Sequence, residues 1–348
     1  MNRFGFIMRG FLAAVLMSVT AVAAEKPKTI TVMTHDSFSI SKAVAARFEA
    51  ENHVTLKFLK AGDAGAALNQ AILARGNPMA DVFFGVDNTF LSRALKADIF
   101  QPYASEALKD IPAEFRIDTE NRLLPVDYGD VCLNYDKAWF ADRGLPPPAG
   151  LSDLIRPEYK GLTVVENPAT SSPGLAFLLA TVGQFGESGY LDYWRKLRDN
   201  QVLVTNGWKE AYWGKFSAAS DGDRPIVVSY ASSPPAEVYF SEKQPADAPT
   251  AAVTSPGSCF RQIEFIGILN GTPHVDLARR LIDFMLGPIF QADIPLQMFV
   301  FPVNRTVALP EVFVRHATVA SEPATVSPDA IDANRERWID DWTGAVLR

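Results

Sequence analysis

Thiols and imidazoles are scarce in this chain. Two cysteines, Cys132 and Cys259, and four histidines are spread over 348 residues. A disulfide-stapled scaffold is excluded, because a chain this long builds a core without staples. A single bridge stays open, since the Cα separation that decides it is not written in the sequence. No Cys-x-x-Cys or His-x-x-x-His spacing occurs, so no metal site is expected. No Gly-Lys-Ser/Thr follows a glycine-rich loop, which removes support for nucleotide hydrolysis. Internal repeats and low-complexity tracts are also missing. After the first 24 residues, no stretch reaches the ~18 uninterrupted apolar residues of a membrane helix.

Those first 24 residues form a secretory signal pattern. Arg3 and Arg9 precede the short apolar run "GFLAAVLMSV" (10–19), and "AVAA" (21–24) offers small residues for cleavage. The mature chain is therefore expected to begin near residue 25 in the periplasm. Losing Arg3 and Arg9 moves the formal net charge from −7 to −9. An acidic exported protein is poorly suited to nucleic acid and better suited to cationic solutes.

The mature chain alternates strand and helix patterns. "TITVMT" (29–34), "VTLKFL" (54–59) and "DVFFG" (81–85) read as strands, separated by helical stretches at 41–52 and 63–76. That rhythm predicts a mostly parallel sheet covered by helices. A second α/β set follows the proline-rich turn at 144–154, with strands at 162–166, 202–205 and 226–230. Extended runs near 126–134 and 260–268 cross between the two sets, and 327–347 reads as an amphipathic terminal helix. The predicted fold class is α/β, a two-lobed clamshell that closes on a ligand. One lobe comprises 25–126 and 263–310, the other 127–262, and 311–348 is a helical segment packing on both.

Ligands in such sheets sit beyond the carboxyl ends of the strands. His35 and Asp36 follow the first strand, Asp63 and Ala64 the second, Asp87 the third. In the second lobe the same end carries Ser171 and Ser172, then Trp208, then Tyr230 and Ser233. Caps and turns account for many of these residues singly; their shared position is the stronger signal. "TSSPG" (170–174) opens a helix with proline, and the free N–H groups beside two hydroxyls form either an ordinary cap or an anion cradle. "TNGWKEAYWGKF" (205–216) sets Trp208, Tyr212 and Phe216 on one helical face. Trp208 follows the turn pair Asn206-Gly207, so its ring sits at the first turn and either packs or faces a ligand.

The strings "TVMTHDSF", "ADVFFGVDN", "PVDYG", "TSSPGLAFLL", "TNGWKEAY", "SYASSP", "IP" through "FPVN" and the terminal "WIDDW" occur in order from about residue 30 onward. Together they resemble the periplasmic thiamine-binding proteins of ATP-binding cassette importers. The resemblance implies the type II periplasmic-binding-protein fold and a ligand set of thiamine, its monophosphate and its diphosphate, with no cofactor. It also implies a non-enzymatic, monomeric receptor that serves a membrane permease. Trp208 matches a ring that stacks on the ligand, Tyr230 a residue lining the site, Asp63 a carboxylate there, and Ser171 a hydroxyl that contacts phosphate. With Phe299 near the C-terminal "FPVN", the expected site is His35, Asp36, Asp63, Ala64, Asp87, Ser171, Ser172, Trp208, Tyr230, Ser233 and Phe299. Tyr212, Trp213 and Phe216 are assigned to core or helix packing.

Three positions depart from the family pattern. His35 and Ala236 stand where the family has tyrosines, and Phe299 where it has tryptophan. A competing function is a thiaminase on the same clamshell, which would need Cys132 as an activated nucleophile rather than a packed thiol. Ferric-ion binding would want adjacent tyrosines, and Tyr230 has only Ser229 beside it.

Overall fold

The computed structural model describes residues 28–243 and 245–348. The expected signal peptide, 1–24, lies outside the described residues. The chain opens with β1 (Lys28–Thr34), α1 (Lys42–Asn52), β2 (Val54–Lys60), α2 (Ala64–Leu73), β3 (Val82–Asp87), α3 (Leu91–Lys96) and β4 (Phe100–Gln101). A long strand, β5 (Leu124–Asp136), leads to α4 (Lys137–Arg143), β6 (Thr163–Glu166), α5 (Ser172–Asp199), β7 (Leu203–Thr205), α6 (Trp208–Gly214) and β8 (Ile226–Tyr230). Then come α7 (Pro234–Phe240), β9 (Thr250–Val253), β10 (Phe260–Leu269), α8 (Val275–Leu286), α9 (Pro288–Gln297), β11 (Phe301–Pro302), α10 (Glu311–His316) and α11 (Pro328–Val346).

The main path of the sheet runs β2-β1-β3-β10-β5-β8-β6-β7. Its two flanks are parallel, β1 with β2 and β3, and β6 with β7 and β8. The two middle strands run antiparallel to their neighbours and to each other. These strands, β5 and β10, are the two extended crossings expected from the sequence. β3 is buried at every residue, as a strand covered on both faces must be. Short helices start where the sequence supplies caps: Ser41 accepts from Val44 N–H, and Asp63 from Ala64 N–H.

The C-terminal helix ties the flanks together. On α11, Trp342 meets Trp194 of α5 edge-on at 5.5 Å between ring centroids. Further along the same helix the Arg335 guanidinium lies 5.4 Å from the Phe90 ring, at the start of α3. Cys132 of β5 and Cys259, just before β10, form a disulfide with a Cα separation of 4.4 Å. The bridge cross-links the two crossings. It also removes Cys132 as a nucleophile, since both cysteines are fully buried and neither thiol is free.

Candidate functional site

A cleft of about 300 Å³ opens between the two flanks of the sheet, beyond the carboxyl ends of the parallel strands. Asp63 spans it. As the N-cap of α2, its Oδ1 accepts from Ala64 N–H at 2.7 Å and from Ser172 N–H at 3.3 Å. Its Oδ2 accepts from Trp208 N–H at 2.9 Å and from the Ser171 hydroxyl at 3.2 Å. Two glycines permit this approach. A Cβ on Gly207 would meet Asp63 Oδ2 at 2.9 Å, and one on Gly65 would meet the Thr170 carbonyl oxygen at 2.9 Å. Burial pushes the Asp63 carboxyl above its ordinary range, opposed by the N–H groups of Trp208 and Ala64.

One wall is aromatic. Trp208 stacks on Tyr212 with centroids 5.0 Å apart and an interplanar angle of 22°, and both rings line the cleft. Trp208 Nε1 donates to Ser229 Oγ at 2.8 Å, and Ser229 pairs with Ser233 at 2.8 Å. The indole plane is therefore fixed from behind. Tyr230 lines the cleft at the end of β8, and its ring comes close enough to Gly129 that a Cβ there would lie 2.8 Å away. At the mouth, Phe299 adopts φ +55°, and its ring packs 5.4 Å from Phe240.

The floor is acidic. Glu264 of β10 sits opposite Asp127 of β5 and opposite Asp87 of β3, so three carboxyl groups lie in a row across adjacent strands. All three are buried. Burial, then the Glu264 charge, pushes Asp127 well above the carboxylate range. Burial likewise pushes Asp87 up to about 7, although Thr89 N–H donates to its Oδ1 at 2.6 Å. Glu264 behaves differently. Burial raises its pKa, but nearby His35, whose Nε2 lies 3.3 Å from Oε1, outweighs that and holds it below its ordinary value. Neither Asp127 oxygen has a hydrogen-bond partner in the described structure, and the His35–Glu264 contact lacks hydrogen-bond alignment.

Known proteins resemble this chain in sequence and in fold. Residues 77–321 match the model of the bacterial extracellular solute-binding proteins. The thiamine-binding periplasmic protein of Salmonella typhimurium is 34% identical over 96% of this chain and 98% of its own length. That of Escherichia coli is 32% identical over the same shares. A solved periplasmic thiamin binding protein superposes with a TM-score of 0.82 at 29% identity, covering 92% of this chain and 97% of that one. This chain belongs to the bacterial extracellular solute-binding proteins. Its fold is that of the type II periplasmic binding proteins, which it shares with a fructose-6-phosphate-bound protein from Actinobacillus pleuropneumoniae at 19% identity and TM-score 0.79. It is a periplasmic binding protein rather than an enzyme.

In this solute-binding protein, His35, Asp36, Asp63, Ala64, Ser172, Trp208, Tyr230, Ser233 and Phe299 line the cleft. Two expected residues do not. Asp87 lies beneath the floor as a member of the acidic row, because β3 is buried to its last residue. Ser171 is fully buried behind Asp63, and its hydroxyl donates to that carboxylate rather than capping its own helix. Phe216 and Tyr212 are core, as expected, although Tyr212 also borders the cleft, and Trp213, at 41% exposure, lines it. Glu264, Lys60, Lys209, Phe240, Gln297 and Met298 are among the further lining residues, and they were not foreseen. Glu264 had a readable signal: a charge in the middle of the apolar crossing "CFRQIEFIGIL" (259–269).

Proposed function

We propose that the protein captures thiamine in the periplasm and delivers it, as a monomer, to the membrane permease of an ATP-binding cassette importer. The observation that carries this reading is the pairing of a fixed aromatic face with a buried carboxylate across one cleft, Trp208 and Asp63. Thiamine is a flat, permanently cationic thiazolium joined to an aminopyrimidine. A ring on a cation contributes roughly 0.5–2 kcal/mol, and a partly desolvated cation needs a negative charge nearby. The names of the full-length relatives support the same ligand.

The proposed ligand set includes the thiamine phosphates. The donors at 171–172 that would cradle a phosphate are held by Asp63, so a phosphate must share them with that carboxylate or displace it. Native mass spectrometry of protein purified without refolding, followed by calorimetry with thiamine and its two phosphates, tests the reading. A retained thiamine-class mass and saturable binding are expected. Absence of binding to all three ligands would overturn it.

A further inference from the structure

His35 is the one imidazole in the cleft lining, and it faces carboxylates. Glu264 meets it from β10 at 3.3 Å. Asp63 faces it from the N-cap of α2 and Asp36 from its own loop. Behind Glu264 stand Asp127 of β5 and Asp87 of β3, while Tyr230 closes the side from β8. Lys60 of β2 lines the same cavity, but its ammonium donates to the Asp36 carbonyl oxygen at 3.0 Å. Lys209, on α6, lies on the opposite wall with Trp208. His35 itself rests on Gly85, where φ is +105° and an added Cβ would stand 2.5 Å from the imidazole Cδ2. The ring packs 5.6 Å from Phe84.

We infer that His35 and Glu264 form a proton-controlled counter-ion for the cationic ligand, with Glu264 as an additional recognition carboxylate that His35 masks when charged. This rests on the proposed thiamine reading. Protonated, His35 neutralises Glu264, so the pair offers the thiazolium no net negative charge. Deprotonated, it leaves the Glu264 carboxylate uncompensated and facing the ligand. Affinity for a permanent cation therefore rises with pH, and binding releases a proton. The imidazole titrates above its ordinary value, because the carboxylates around it outweigh the effect of burial.

Calorimetry with thiamine from pH 6.0 to 8.5, in two buffers of different ionisation enthalpy, tests this on the intact mature protein. The expected result is a rise in affinity of about tenfold across that range, with a fraction of a proton released on binding near the His35 titration. His35→Gln should flatten the profile and bind more tightly than the native protein at pH 6.0. A flat native profile with saturable thiamine binding overturns the inference and leaves the thiamine reading standing. An equally steep profile in His35→Gln also overturns it, by assigning the titration to Asp87 or another group. No thiamine binding at any pH overturns both.

Discussion

Asp63 Oδ2 accepts the backbone N–H of Trp208 at 2.9 Å, which joins the start of α2 to the start of α6 across the cleft. One carboxylate thus caps a helix, bridges the two flanks and faces the cavity. Asp63→Asn tests the charge: asparagine keeps one acceptor oxygen for two of the four donors that the carboxylate serves, but turns its amide N–H groups toward the other two and carries no charge. The mutant is expected to lose about 1–3 kcal/mol of ligand-free stability and, where still folded, at least roughly tenfold in thiamine affinity, or about 1.4 kcal/mol. The loss should shrink as salt is raised, to the extent that solvent reaches the site. Calorimetry at low and high salt measures it; unchanged affinity would leave only the cap and the bridge.

Trp208 is held as well as exposed to the ligand, and its substitution should show both roles. Trp208→Ala removes the stack on Tyr212 and the bond to Ser229 Oγ. Affinity should fall by on the order of 1–3 kcal/mol, and ligand-free stability by about 1–2 kcal/mol, since the buried Ser229 loses a donor. Trp208→Phe keeps a ring but not the indole N–H. It should recover part of the affinity while the plane becomes less fixed. A stability loss with unchanged affinity would make the ring plain packing.

Phe240 ends α7 at 62% exposure yet lines the cleft beside Phe299. It lies one helical turn beyond Ala236, the position where the family resemblance expects a tyrosine. An exposed ring contributes little to folding, so Phe240→Ala should leave the melting temperature within about 1 °C and weaken thiamine binding by about three- to tenfold. Equal affinity in the mutant would show that the ring stays outside the bound complex.

Much of this was legible in the sequence because apolar runs and turn residues are local signals. Strands β1 to β3 and the crossings β5 and β10 appear where the runs place them, with only their ends displaced. The long α5 is kinked at Gly186, where φ is +71°, a break that a glycine inside a helical stretch permits. The two-residue strands β4 and β11 have no periodicity to detect, and both exist only through long-range pairing. The site divides in the same way. Residues following a strand end, such as His35 and Trp208, were found, because topology brings strand ends together. The Asp87–Glu264–Asp127 row was not, since it depends on register between strands far apart in sequence. Nor could sequence show that Asp63 engages Ser171, which turns the expected anion cradle into a contact with the protein's own carboxylate.

The disulfide joins residues 127 apart in sequence, on neighbouring strands at the crossing. Cross-linking a loop of that length restricts the unfolded chain by up to about 5 kcal/mol in the chain-entropy account. The double variant Cys132→Ala with Cys259→Ala should lose about 2–5 kcal/mol of stability and keep most of its thiamine affinity, because neither residue lines the cleft. Denaturant unfolding beside calorimetry checks both halves. A large affinity loss at intact fold would mean that the bridge sets the position of Glu264.

Asp87 offers a test of the acidic floor that needs no ligand. Its carboxyl is fully buried and held up to about 7, against an ordinary value of 3.8, mainly by burial. The folded state therefore binds a proton more tightly than the unfolded state does. By linkage, this group contributes most favourably below pH 3.8, and its contribution is lost as pH rises toward about 7. Asp87→Asn keeps the acceptor that Thr89 N–H uses at 2.6 Å and cannot ionise. Near pH 4 the variant and the native protein should unfold at similar denaturant concentrations. At pH 8 the variant should be more stable by on the order of a few kcal/mol, because it no longer carries a buried charge beside Glu264. Paired urea titrations at the two pH values measure the difference. A variant equally stable or weaker at pH 8 would show that the ionised Asp87 is compensated in the fold by the Thr89 N–H.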